Sequence, residues 1–174
     1  MESYDESTNT WTAFPPLCKA RTKFAACILG DAYLYAFCGL LSPPSNRLDL
    51  EHDETLESCS VATKKWKLMK IQLNSSLLSS GARIAVTPLS TQSILLYGRK
   101  KKRPEQEDEL SYIFALDGGS AAHVIEEPQK IVPQCTGYWC PGVLKNGEVW
   151  VMSDDNDAPV VYRFGYVTRS WELI

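Results

Sequence analysis

The sequence predicts an all-β protein built as an array of four-stranded antiparallel sheets, and three observations carry that expectation. A six-residue step ending on an aromatic or imidazole side chain occurs four times, from Asp5 to Trp11, Ser60 to Trp66, Asp117 to His123 and Gly165 to Trp171. The aromatic positions fall 55, 57 and 48 residues apart by subtraction, the length of one four-stranded unit. Apolar runs of four to seven residues bounded by Gly, Pro, Asn and Ser read as strands, with no helical period of useful length. A unit of this size cannot bury its apolar face alone, so the units must stack.

Taken in order along one unit, the strands are labelled A to D. Strand A is a run of small and apolar residues: Phe24 to Leu29, Ile84 to Val86, and Gly142 to Leu144. A turn follows at Gly30-Asp31, at Ser90-Thr91-Gln92, and at Asn146-Gly147, where the first and last pairs suit a two-residue hairpin. Strand B is Leu34 to Phe37, Ile94 to Tyr97, or Val149 to Met152, closing at Cys38-Gly39, Gly98-Arg99 and Ser153-Asp154. Strand C leads into the start of the six-residue step, a short polar turn such as Glu6 to Asn9 follows, and strand D begins near the Trp.

Tyr4-Asp5, Asn9, Trp11, Arg21, Tyr35 and Cys38-Gly39, followed by Trp66 and Trp171 and by drifted copies at Cys59-Ser60, Gly98-Arg99, Ser153-Asp154 and His123, give a chain that resembles the kelch-repeat β-propeller family over almost its whole length. The resemblance implies propeller blades of four antiparallel strands, about three and a half of them. The single segment 1–174 then divides into a C–D half blade at 2–14 and full blades at 24–69, 82–125 and 138–174. Closed propellers use roughly four to eight blades. Counting therefore predicts that further blades come from additional N-terminal sequence or from another chain.

The repeat residues Tyr4, Asp5, Trp11, Gly39, Trp66, Gly98, Trp150 and Trp171 read as structural. Trp11, Trp66 and Trp171 are expected to cover the wedge between neighbouring twisted sheets. His123 is expected at a Trp position. Gly39 and Gly98 are expected to end strand B where φ turns positive or a neighbour comes close.

In a four-stranded meander the A–B and C–D turns share one end, and the B–C and D–A connections share the other. The second set is longer: 40–55, 100–109 and 154–157 between B and C, and 15–22, 71–81 and 126–141 between D and A. Scaffolds carry variable binding chemistry on such loops, so this end is the expected partner surface. Its candidate contact residues are Arg21, the basic run Arg99, Lys100, Lys101, Lys102 and Arg103, and the acidic Asp154, Asp155 and Asp157. The acidic run Glu105 to Glu109 beside the basic one is expected to neutralise it in part. Glu51, His52, Asp53 and Glu54 read as a solvated loop.

Composition points the same way. In 174 residues, 44% hydrophobic and 22% charged content describes an ordinary globular chain. A net charge of −3 argues against nonspecific nucleic-acid binding. No apolar stretch reaches bilayer length, and the acidic Met1 to Glu6 is unlike a signal peptide. The expected location is cytoplasmic, with nuclear import through Arg99 to Arg103 as a second destination. Cysteines at 27, 38 and 59 fall in strands and read as reduced apolar side chains. Cys135 and Cys140 lack the paired spacing of a zinc site, and the sequon at Asn74 has meaning only on a secreted chain.

No phosphate-cradling, nucleophile-elbow or calcium-loop pattern is present. The expectation is therefore a non-catalytic protein–protein interaction module, a scaffold or substrate-recognition propeller without cofactor, metal or catalytic residues, whose partner is a protein. The alternative is a propeller enzyme related to copper radical oxidases of the galactose type. That chemistry needs Tyr, Cys and two His at one metal, and the chain holds only His52 and His123.

Overall fold

The computed structural model describes residues 1–22, 24–37, 39–41, 55–72, 83–101, 107–117, 121–124, 129–130, 138–155 and 158–174. Every regular element among them is a β-strand. A hairpin of β1 (Glu2–Asp5) and β2 (Thr10–Ala13) comes first, followed by the short β3 (Arg21–Thr22). Blade 1 consists of β4 (Ala25–Leu29), β5 (Tyr33–Phe37), β7 (Leu56–Ser60) and β8 (Lys65–Gln72), with the short β6 (Leu40–Leu41) between its B and C strands. Blade 2 is β9 (Arg83–Pro88), β10 (Ser93–Lys101), β11 (Glu107–Asp117) and β12 (Ala121–Val124). After β13 (Gln129–Lys130) and β14 (Tyr138–Trp139), blade 3 is β15 (Val143–Lys145), β16 (Glu148–Asp155), β17 (Ala158–Gly165) and β18 (Ser170–Leu173).

Within each blade successive strands pair antiparallel. Among the described residues no sheet closes on itself. Blades 1 and 2 are joined at their outer strands, where β8 and β12 pair in parallel through Lys70↔Ala121, Ile71↔Ala122 and Gln72↔His123. This contact gives each outer strand a hydrogen-bonded neighbour in place of an open edge.

The turns account for the six-residue step. The C–D turns Glu6 to Asn9, Val61 to Lys64 and Tyr166 to Arg169 each hold four residues and end on a residue with φ near +54°: Asn9 at 53°, Lys64 at 53° and Arg169 at 55°. Each of these lies two positions before a Trp. The register is also constant, with Tyr4↔Trp11, Cys59↔Trp66 and Phe164↔Trp171. In the A–B turns Gly30 and Asp31, and Asn146 and Gly147, all have positive φ; Asn146-Gly147 is a two-residue hairpin loop between Lys145 and Glu148, whereas the first turn holds a third residue, Ala32, before Tyr33 pairs with Leu29.

Blade 2 breaks this register, and His123 is the casualty. Asp117 pairs with Ala121, so its C–D turn has three residues in place of four, and Ala115 faces His123. A one-residue change moves a side chain to the other face of the sheet. Leu116, buried against blade 1, pairs with Ala122. Ala122, not His123, therefore occupies the Trp position of this blade.

Alternation along the strands assigns two cores. Tyr35, Phe37, Leu56 and Met69 of blade 1 pack on Val86, Ile94, Leu96 and Phe114 of blade 2. On the other side Leu95, Tyr97 and Ile113 of blade 2 pack on Val149, Val151, Tyr162, Phe164 and Trp171 of blade 3. Blade 2 is thus covered on both faces. At the first joint, burial pushes the Cys27 thiol up to about 12, consistent with its behaviour as an apolar side chain.

Candidate functional site

The B–C and D–A connections lie at one end of the blades, where short strands within them are hydrogen-bonded to one another or to a blade strand. Strand β3, after the first hairpin, pairs with β6 through Arg21↔Leu41 and Thr22↔Leu40. Strand β13, after blade 2, pairs with β11 through Leu110↔Lys130 and Ser111↔Gln129. Strand β14 pairs with β16 through Tyr138↔Asp154 and Trp139↔Ser153. Two D–A connections are tied down in this way: 15–22 through β3, onto β6 in the B–C connection of blade 1, and 126–141 through β13, onto the C strand of blade 2, and through β14, onto the B strand of blade 3. Among the described residues, the opposite end carries the tight turns.

Arg21, expected as a partner contact, is instead a buried tie within the fold. Its guanidinium meets the Glu57 carboxylate at 2.5 Å with both side chains fully enclosed. It also donates to the Thr55 carbonyl at 3.1 Å and the Thr55 hydroxyl at 3.0 Å. Glu57 accepts the backbone N–H groups of Cys18 at 2.6 Å and Lys19 at 3.2 Å. A buried carboxylate persists only when its charge and lone pairs are satisfied. Arg21 and the two amides satisfy it, and in doing so they fasten the 15–20 connection to blade 1. Sequence reading missed Glu57 because nothing in its neighbours marks it as buried.

Arg99, Lys100 and Lys101 of the basic run lie on a paired strand, so the ladder continues into the expected 100–109 loop. The register sets Arg99 opposite Glu109, Lys100 opposite Asp108 and Lys101 opposite Glu107. Asp154 and Asp155 close the paired part of blade 3 opposite Pro159 and Ala158, at the same end of the array. Lys102, Arg103 and Asp157 lie outside the described residues, as do Cys38, the loop with Glu51, His52, Asp53 and Glu54, Asn74 and Cys135. Gly39 has φ 107°, and a Cβ there would stand 2.7 Å from the Thr22 carbonyl oxygen, so close approach requires glycine. Gly98 does not end its strand: it pairs with Ile84 and Leu110 in mid-ladder.

The four remaining tryptophans differ sharply. Trp171 is 8% exposed; its ring packs at 5.6 Å from Tyr97 and 5.2 Å from Phe164, and its N–H donates to Ser111 Oγ at 3.0 Å. Trp66 is half-buried, donates to the Pro15 carbonyl at 3.0 Å and meets Phe14 edge-on at 6.5 Å. In both cases the D-strand Trp reaches back to the preceding unit. Trp11 was expected in such a joint and is not in one: it is 68% exposed and its ring contacts Tyr4 at 5.1 Å. The Tyr4 hydroxyl donates to Asn9 Oδ1 at 2.7 Å, and Asp5 Oδ1 accepts from the Ser7 amide and hydroxyl, so the hairpin is held by its own turn. Trp150 lies on the far face of blade 3, half-buried, with the Arg163 guanidinium 5.8 Å from its ring centroid. Arg163 is in turn paired with Glu148 and Glu172.

A second fastening at the blade 2 to blade 3 joint was not visible in the sequence. The buried Tyr97 hydroxyl donates to the Cys140 carbonyl at 2.7 Å and lies 3.1 Å from Thr87 Oγ1, which accepts the Gly142 N–H at 2.8 Å. Burial pushes the Tyr97 phenol up. A Cβ at Gly142 would fall 2.7 Å from Val149 Cγ1, 2.8 Å from Val151 Cγ2 and 2.9 Å from Thr87 Oγ1. The only sequence signal was the glycine before strand A.

The sequence matches no protein-family model and no curated protein. Solved structures do match: one, described as "Structure of YjhT", superposes with a TM-score of 0.63 at 12% identity, over 95% of this chain and 55% of the other. At that identity the likeness shows the fold. The chain spans about half the length of the solved chain it matches.

Proposed function

We propose that the chain is a kelch-type, non-catalytic protein–protein interaction module, acting as a scaffold or substrate-recognition propeller through the end where its B–C and D–A connections gather. The observation that carries this reading is the set of three connection pairings, β3 with β6, β13 with β11 and β14 with β16. They tie one D–A connection onto the B–C connection of blade 1 and another onto strands of blades 2 and 3, so that connections of several blades form one surface on a rigid base. A surface of that kind recognises a folded partner or an extended peptide.

The charge pattern gives the partner a character. The basic residues of the β10–β11 hairpin are matched in register by acidic ones, which favours a mixed-charge protein surface over a polyanion such as nucleic acid. A photo-crosslinking residue at Lys101 tests the reading against one at Lys64 in a C–D turn at the opposite end. In cell extract the Lys101 position is expected to give a discrete protein adduct that charge reversal of Lys100 and Lys101 removes. Adducts confined to the Lys64 position would overturn the proposal.

A further inference from the structure

Two exposed surfaces among the described residues have the complementary features of a blade joint. At the internal joint between blades 2 and 3, the surface that receives Trp171 is built from Tyr97 on strand B and Ser111 on strand C, which stand opposite each other. Counted from the first residue of strand B, Tyr97 corresponds to Phe37 in blade 1 and to Met152 in blade 3. Phe37 and Tyr97 are fully enclosed by the following blade, whereas Met152 is 56% exposed. Met152 stands opposite Val161, whose carbonyl accepts the Ile174 N–H, and Val143 stands opposite Trp150 in the next row. Val143 and Ile174 are exposed as well. Blade 3 thus presents the face on which a following blade packs, with an apolar strip at the seat of a D-strand Trp.

The first hairpin presents the opposite half. Its turn ends in the same positive-φ conformation, its Trp has the same register as Trp66 and Trp171, and that Trp is exposed. Tyr4 and Ala13 share its face.

We infer that the far face of blade 3 is a docking surface for the β1–β2 hairpin of a second copy of this chain, with Trp11 seated over Met152 and Val161. The occupant is chosen by geometry: the hairpin is the same C–D element that covers the equivalent face inside the chain, and it carries the exposed Trp that such a seat lacks. The contact is heterologous, because the two surfaces differ, so each copy uses one of each. Val161 replaces the Ser111 acceptor, so the seat is held by apolar burial. This inference does not rest on the partner surface proposed above, which lies at the connection end of the blades.

Sedimentation velocity of the full chain, run over a concentration series, provides the test. Wild type is expected to associate as concentration rises. Trp11→Ala and Met152→Asp are each expected to weaken association roughly tenfold or more, with circular dichroism unchanged because both side chains are exposed. Mixing the two variants is the decisive arm: Trp11→Ala retains the blade 3 face, Met152→Asp retains the hairpin, and together they form a one-to-one dimer and nothing larger. A wild type that stays monomeric, variants that associate as well as wild type, or a mixture that stays monomeric would each overturn the inference.

Discussion

Trp171 and Trp11 occupy the same place in the repeat and live in opposite surroundings. Both follow a four-residue turn ending in positive φ, and both face the residue one before the start of the six-residue step. Trp171 is enclosed between blades with its N–H bonded to Ser111, whereas Trp11 touches Tyr4 and otherwise meets solvent. The hairpin is therefore a local product of turn chemistry and strand register. The burial of its aromatic side chain depends on the neighbouring blade. Trp66 stands between the two, sheltered on one side by Phe14 and Pro15.

The comparison yields a ranked series of stability changes. Trp171→Ala is expected to cost about 3–5 kcal/mol, since it empties a buried site and leaves the Ser111 hydroxyl without its indole partner. Denaturant unfolding measures this, and a loss under 1 kcal/mol would detach the Trp from the joint. Gly142→Ala is next, at about 1–3 kcal/mol, because the added methyl meets Val149, Val151 and Thr87 at once in a packed joint. Trp66→Ala, at a half-buried site, is expected near 2 kcal/mol. Trp11→Ala should change the stability of the dilute monomer by no more than about 0.5 kcal/mol, as for other exposed positions. A larger loss would mean that the hairpin is already enclosed.

Acid offers the finest probe of the hairpin alone. Hydrogen bonds from the Ser7 hydroxyl and amide hold the Asp5 carboxyl below its ordinary range. Because the folded pKa is depressed, the turn gains from Asp5 above the ordinary carboxylate value and loses that gain as pH falls through the folded value. The indole N–H resonance of Trp11 should then shift in acid before that of Trp171. Simultaneous movement would show that the hairpin unfolds with the blades.

Much of the fold was legible in the chain because it is local. Strand alternation, the Gly30-Asp31 and Asn146-Gly147 turns, and the six-residue step are short-range patterns, and they led directly to four-stranded units and to their order. The step failed once, at His123, because the turn after Asp117 is one residue shorter and nothing in the intervening glycines reveals its length. Distance along the chain does not by itself fix register. Gly98 failed for a related reason: a Gly-Arg pair resembles a strand end, yet the charge-matched residues beyond it extend the ladder to Lys101↔Glu107.

The candidate surface was legible only in outline. Topology alone brings the B–C and D–A connections to one end, and that expectation needed no coordinates. Which residues are available there did require them. Arg21 looks like an exposed loop cation in sequence, and the carboxylate that buries it, Glu57, lies 36 residues away.

By itself the sequence determined the β class, the repeat unit, the order of strands and the identity of the tight turns, since each follows from propensity and spacing within a few residues. Only the tertiary structure decided which face each strand presents to which blade, and that the outer strands of blades 1 and 2 join in parallel. It alone revealed Arg21 as enclosed, Trp171 as covered and Trp11 as bare. Burial is a property of what lies across the gap, and in a stacked array that neighbour is tens of residues away along the chain.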